Sequence, residues 1–106
     1  MNWVELGALG EFQGQRVHRR QVGEFDILLC RQGEAYHALL NRCTHLGLPL
    51  DGGRLMAGRI HCPFHGACFD VKSGAAMAGP ALLPLQTFAV KVEGGALFVA
   101  IPAPPP

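Results

Sequence analysis

The sequence predicts an all-β fold, an antiparallel sandwich or small barrel, from three observations. Short apolar runs recur with a period of two, glycine turns separate them at regular intervals, and the helical period of apolar residues is nearly absent. The chain has 106 residues, the length of one domain. A chain of this size buries roughly 60 to 65% of its unfolded surface, which supports one modest core. Its composition, 49% hydrophobic and 16% charged, is globular and not that of a disordered chain.

The elements follow in order. Trp3 to Glu5 reads as a short strand, and Glu5 to Phe12 has room for a single helical turn. Gly14 to Val22 is the next strand. Phe25 to Arg31 and Ala35 to Leu40 then flank Gly33-Glu34, a hairpin with glycine at the first central position of its turn. Asn41 to Ala67 breaks the rhythm, apart from a short strand candidate at Arg59 to Cys62. Lys72 to Leu85 contains Gly74, Gly79, Pro80 and Pro84 and reads as a loop. In Thr87 to Glu93 the apolar Phe88, Val90 and Val92 alternate with Lys91 and Glu93, as in a half-buried strand. Gly94-Gly95 and the run Ala96 to Ile101 complete a second hairpin, because both central residues of a tight primed turn need positive φ. The domain therefore spans 1–101. The tail 102–106, four prolines among five residues, cannot join a ladder and is expected to be an extended, mobile end.

Charge and composition exclude several functions. Nine Lys and Arg against eight acids leave a formal net charge of +1, too little for binding nucleic acid through its phosphates. Arg19-Arg20 reads as a solvated strand face. The start of the chain has no charged leader followed by an apolar run, and no stretch approaches the ~20 apolar residues of a membrane span. A cytoplasmic protein with no membrane contact is expected. Four cysteines without a secretion signal point to metal binding in preference to a disulfide framework.

Two short loops concentrate the soft ligands. Arg42-Cys43-Thr44-His45-Leu46-Gly47 and His61-Cys62-Pro63-Phe64-His65-Gly66 each offer a cysteine followed closely by a histidine, Cys43 with His45 and Cys62 with His65, with sixteen residues between His45 and Cys62. Residues two apart in an extended loop point to the same side, so Cys43 and His45 can reach one small object. Cys62 and His65 offer a second pair on a turn, as in C-x-x-C metal loops. A single zinc accepts Cys2His2, but its usual arrangement takes both cysteines from one loop and both histidines from a helix. A mononuclear copper site wants one cysteine and a long axial ligand. A dinuclear cluster suits one cysteine and one histidine per loop, with one iron taking both thiolates and the other both imidazoles.

Cys43-Thr44-His45-Leu46-Gly47 and Cys62-Pro63-Phe64-His65-Gly66, followed by Phe69-Asp70 and Ser73-Gly74, resemble the signature of the Rieske [2Fe-2S] family. The likeness extends over the flanking strands and the Gly79-Pro80 loop. It implies a Rieske-type antiparallel β-sandwich with a small cluster-binding subdomain formed by two loops, at about 41–67. It implies one [2Fe-2S] cluster per chain, with Cys43 and Cys62 holding the inner iron and His45 and His65 the outer one. Leu46, Gly47, Pro63, Phe64, Gly66, Ala67 and Phe69 would surround it.

Rieske proteins of the respiratory and photosynthetic cytochrome complexes add a disulfide between the loops, and a serine and a tyrosine that hydrogen-bond to the cluster. Those positions hold Leu48, Phe64, Ala67 and Phe69 here. Without these donors the reduced cluster loses stabilisation, so the potential should lie toward the low end of a family range of roughly −150 to +300 mV. The sequence is thus most similar to Rieske-type ferredoxins of bacterial aromatic ring-hydroxylating dioxygenase systems. That similarity implies a monomeric one-electron carrier, without catalysis of its own, between a flavin-dependent NAD(P)H ferredoxin reductase and a terminal oxygenase. His45, His65, Leu46, Phe64 and Pro80 would form the docking rim. Two alternatives stand beside it: a Rieske-like small subunit of a larger oxidoreductase such as assimilatory nitrite reductase, and a zinc-stabilised binding module.

The remaining candidates have plainer readings. Cys30 lies among Ile27, Leu28 and Leu29 and reads as a small buried hydrophobe; Cys68 reads as a packed thiol. His18 and His37 fall in strand runs and read as surface or half-buried side chains, while His61 adjoins Cys62 and could tune the site.

Overall fold

The computed structural model describes residues 2–44, 47–63, 66–78 and 83–102. Eleven strands lie among them: β1 Asn2–Ala8, β2 Val17–Val22, β3 Phe25–Gln32, β4 Ala35–Leu40, β5 Arg54–Met56, β6 Arg59–His61, β7 Cys68–Asp70, β8 Ala76–Ala78, β9 Thr87–Phe88, β10 Val90–Glu93 and β11 Ala96–Ile101. All pairings are antiparallel. They form three sheets, in the orders β1-β11-β10, β2-β3-β4-β9 and β5-β6-β7-β8. Among the described residues no helix is long and apolar enough to cross a membrane.

The all-β expectation holds, with a middle layer that period-two reasoning does not supply. In β3, Ile27 and Leu29 pack with Leu97 and Val99 of β11, whereas Leu28 and Cys30 pack with Leu50, Ile60 and Phe69 on the opposite side. In β4, Ala38 and Leu39 divide in the same way. The centre of the second sheet, β3 and β4, is therefore covered on both faces, and Ile27 to Cys30 reads as a continuous apolar run for that reason. Each fully buried aliphatic side chain in these two cores contributes roughly 1.5–3 kcal/mol.

Several boundaries differ from expectation. The first strand runs on to Ala8 by pairing with β11 through a bulge between Glu5 and Gly7, and the expected helical turn is a 3-10 turn at Leu9–Phe12. The strand expected at Gly14 to Val22 begins only at Val17. The run Thr87 to Glu93 breaks at Ala89, because β9 pairs with β4 while β10 pairs with β11 in another sheet. Val92, expected to face inward, is 51% exposed on this edge strand. Lys72 to Leu85 is not loop throughout, since β8 pairs with β7 inside it.

The hairpin β5–β6 escaped a sequence reading because its turn is Ala57-Gly58, with φ of 51° and 75°; alanine does not advertise a left-handed turn. The third sheet runs from Arg54 to Ala78 and so extends past the 41–67 limit expected for the subdomain. Gly94 and Gly95, with φ of 59° and 76°, make the expected turn. The tail residues 103–106 lie outside the described residues.

Candidate metal centre

The two cysteine loops share one backbone design. In the first, the Cys43 N–H donates to the Leu48 carbonyl at 2.7 Å and Gly47 takes a φ of 73°. In the second, the Cys62 N–H donates to the Ala67 carbonyl at 2.7 Å and Gly66 takes a φ of 74°. In each case the cysteine amide reaches five residues on, across a glycine four residues on whose left-handed backbone a side chain would resist. Both cysteines therefore occupy equivalent places at the mouths of two matched turns.

Asn41 ties the first loop down. It is only 4% exposed, and its Oδ1 accepts from the Leu50 N–H at 2.7 Å while its Nδ2 donates to Asp51 at 3.1 Å and to Asp26 of β3 at 3.3 Å. Such a buried amide is costly unless bonded, and here every direction has a partner. Gly53 joins the exit of the first loop to the entry of the second: its N–H donates to the Leu50 carbonyl at 2.8 Å, and a Cβ there would collide with the His61 carbonyl. A third segment is fastened alongside. The Thr44 hydroxyl donates to the Leu83 carbonyl at 2.8 Å, and the Leu85 N–H donates to the carbonyl of Gly74, whose φ is 79°.

Burial separates the four cysteines by role. Cys43 and Cys62 are 0% and 5% exposed and share one apolar cluster with Leu50, Leu55, Ile60, Ala67 and Phe69. None of the four cysteines forms a disulfide. Cys30 lies in the same cluster, where burial pushes its thiol up to about 12, so it remains protonated as a packing group. Cys68 is buried on β7, opposite His61 in register. His18 stacks edge-on against Phe12 at 5.1 Å, and one of its ring nitrogens lies 2.9 Å from the Gln15 carbonyl oxygen. His37 is half-buried on β4, and burial lowers its pKa, with Asp70 opposing and Lys72 reinforcing that shift.

The expected site residues divide accordingly. Cys43, Cys62, Ala67 and Phe69 lie in one buried cluster, whereas Gly47, Pro63 and Gly66 are exposed on the two loops. His45, Leu46, Phe64, His65 and Pro80 lie outside the described residues. Ala67 and Phe69 are fully buried and place no hydroxyl beside the cysteines. Two unpaired thiols on matched turns, walled by apolar side chains, fit a cluster bound through one thiolate per loop. Asn41, Gly53 and Thr44 were not singled out from sequence. An Asn directly before the ligand loop was a signal for the first; the other two depend on contacts distant in the chain.

Residues 2–89 match the Rieske [2Fe-2S] domain family. The ferredoxin component of biphenyl 2,3-dioxygenase from Rhodococcus jostii (strain RHA1) is 36% identical over 99 residues, covering 93% of this chain and 92% of that one. Apoptosis-inducing factor 3 from Homo sapiens is 35% identical over 89 residues, 84% of this chain; the chain spans 15% of that protein's length. Among solved structures, a complex of reduced oxygenase and oxidized ferredoxin in carbazole 1,9a-dioxygenase contains a chain that superimposes with a TM-score of 0.85 at 33% identity, covering 92% of each chain.

Proposed function

This chain belongs to the Rieske [2Fe-2S] family, and on that premise we propose that it is a one-electron carrier feeding a terminal oxygenase. The observation that carries the proposal is the pair of matched turns that present Cys43 and Cys62 from a common apolar core. Similarity to a dioxygenase ferredoxin component over 93% of the chain supports it, as does likeness to a ferredoxin in complex with its oxygenase. The Rieske-type cluster, when bound, supplies a single reversible electron.

The rest is done by the chain. Cys43 and Cys62 would hold one iron of the cluster as thiolates, and His45 and His65 would hold the other. Buried Leu50, Ile60, Ala67 and Phe69 keep water from the thiolates, and the bonds of Asn41 and Thr44 fix the first loop. Residues 1–101 act as a single domain with the cluster borne on 41–67 and the sheet next to it. His45, His65, Leu46, Phe64 and Pro80 form the docking rim, and the electron comes from a flavin-dependent reductase. A monomer in the cytoplasm completes the proposal. Similarity to ferredoxin components of dioxygenase systems supports a carrier without catalysis of its own.

The test is electron paramagnetic resonance after dithionite reduction, with iron and zinc counted on the same anaerobic sample. About two irons per chain and the low average g value of a histidine-ligated cluster are expected. One zinc, no iron and no signal would overturn the proposal in favour of a zinc-stabilised module. A second reading, a Rieske piece of a larger oxidoreductase, is favoured by the match to a protein of which the chain spans 15%; copurification with a permanent large subunit would support it.

A further inference from the structure

We propose that the outer face of the third sheet is a basic docking surface for an acidic face on the electron-transfer partner. The inference rests on the carrier reading above and specifies the partner's chemistry. Formal charge is unevenly divided along the chain. Residues 41–78 carry Arg42, Arg54, Arg59 and Lys72 against Asp51 and Asp70, whereas the remainder carries five cations against six carboxylates. The oxidised cluster, with two thiolate and two neutral imidazole ligands, adds no net charge to this balance.

Pairing sharpens the division. Outside 41–78, Arg19 bonds Asp26 at 2.8 Å, Arg20 approaches Glu11 at 3.9 Å and Lys91 meets Glu93 at 3.1 Å. Arg16 donates to the Leu55 carbonyl, and Arg31 to the carbonyls of Gly33 and Gln13. By contrast, Arg42, Arg54, Arg59 and Lys72 are exposed, and among the described residues none of them has a carboxylate within ion-pair distance. The two acids of this half are engaged locally, Asp51 by Asn41 and Asp70 by the Ser73 N–H and hydroxyl.

Register puts Arg54 and Arg59 on one surface. Arg54 stands opposite His61, Met56 opposite Arg59, and Arg59 opposite Asp70. Cross-strand partners share a face, so these residues point away from Leu55, Ile60 and Phe69, which fill the core. Met56 is 44% exposed among them, an apolar contact framed by arginines, the two residue types enriched at protein interfaces. The face adjoins the metal loops: β6 ends at His61, one residue before Cys62, and the Arg42 guanidinium lies 3.1 Å from where a Cβ on Gly47 would stand. Cations interspersed with carboxylates and apolar side chains match a protein surface better than a lipid or nucleic-acid phosphate array, which calls for a continuous basic run.

The test uses the dithionite-reduced holoprotein, freed of excess reductant, in stopped flow against two cobalt(III) oxidants of opposite charge: anionic tris(oxalato)cobaltate(III) and cationic tris(phenanthroline)cobalt(III). Each cobalt(III) takes one electron from the cluster and becomes cobalt(II). The anionic probe should slow, and the cationic one quicken, as salt rises from about 0.02 M to about 0.5 M. In Arg54→Glu/Arg59→Glu the anion-to-cation rate ratio at low salt should fall about tenfold or more, and polyglutamate should inhibit the unaltered protein but not the variant.

A salt response of opposite sign, or a ratio unmoved by charge reversal, would overturn the proposal. So would binding to phosphatidylserine vesicles that the variant loses while polyglutamate has no effect, which would assign the face to a membrane. If the double variant does not fold, the salt response of the unaltered protein and of Arg59→Gln decides. Absence of the paramagnetic signal would be a failure of the carrier reading; a loaded cluster with the wrong charge preference would be a failure of this one alone.

Discussion

Ala67 is a small residue in a consequential place. It is fully buried in the cluster that holds Cys43 and Cys62, and its carbonyl accepts the Cys62 amide at 2.7 Å. Its methyl can donate nothing to a cluster sulfur. Ala67→Ser should restore one donor, and a hydrogen bond that favours the reduced form by about 1 kcal/mol raises a one-electron potential by about 40 mV. Protein-film voltammetry checks this; an unchanged or lowered potential with the g values intact would place residue 67 out of reach of the sulfurs. At the same scale, the Ala57 and Gly74 backbones show what sequence conceals. A left-handed alanine gives no turn signal, and the collision of a Gly74 Cβ with the Leu85 carbonyl joins residues that are far apart in the chain.

Between elements, the end of β7 and the turn that follows it lie close enough to β4 for Asp70 and Lys72 to act on His37. Burial lowers the His37 pKa below its ordinary 6.5, because the charged ring loses hydration. The unfolded chain then takes up the proton first as pH falls. Stability from this group is complete above 6.5 and is lost as pH drops through the folded value. The midpoint of His37 measured by NMR should therefore lie below 6.5 in the folded protein. Asp70→Asn should lower it further and Lys72→Gln should bring it back up; the reverse order would mean that the turn does not face β4. Asp70 is itself held below the usual carboxylate range by the hydroxyl and amide of Ser73.

At the scale of the molecule, one sheet serves two cores. Leu97 belongs to the core shared with β11, and Leu50 to the core shared with the metal loops; both are fully buried. Truncating either to alanine should cost about 2–5 kcal/mol. The consequences should differ, because β3 and β4 stand between the two cores. Leu97→Ala should lower the urea midpoint while iron content and g values stay unchanged. Leu50→Ala should lower the midpoint and reduce iron bound per chain. Equal iron loss in both would show that the central sheet transmits damage instead of separating the cores.

The sequence by itself determined the fold class, both expected hairpin turns and the two cysteine loops, since these depend on near neighbours: side-chain alternation, glycine pairs, and ligands two or three residues apart. It also carried the metal reading, because four soft candidate ligands in two loops have few other uses. Tertiary structure alone decided that β3 and β4 are buried on both faces, that Thr87 to Glu93 changes sheets at Ala89, and that Asn41 and Thr44 fasten the first loop. It alone brought Arg54, Met56 and Arg59 onto one exposed face. The physical reason is common to all of these. A strand's period shows which residues share a side, but which side meets a neighbour, and which charges go unpaired, depends on partners that only the folded chain brings within reach.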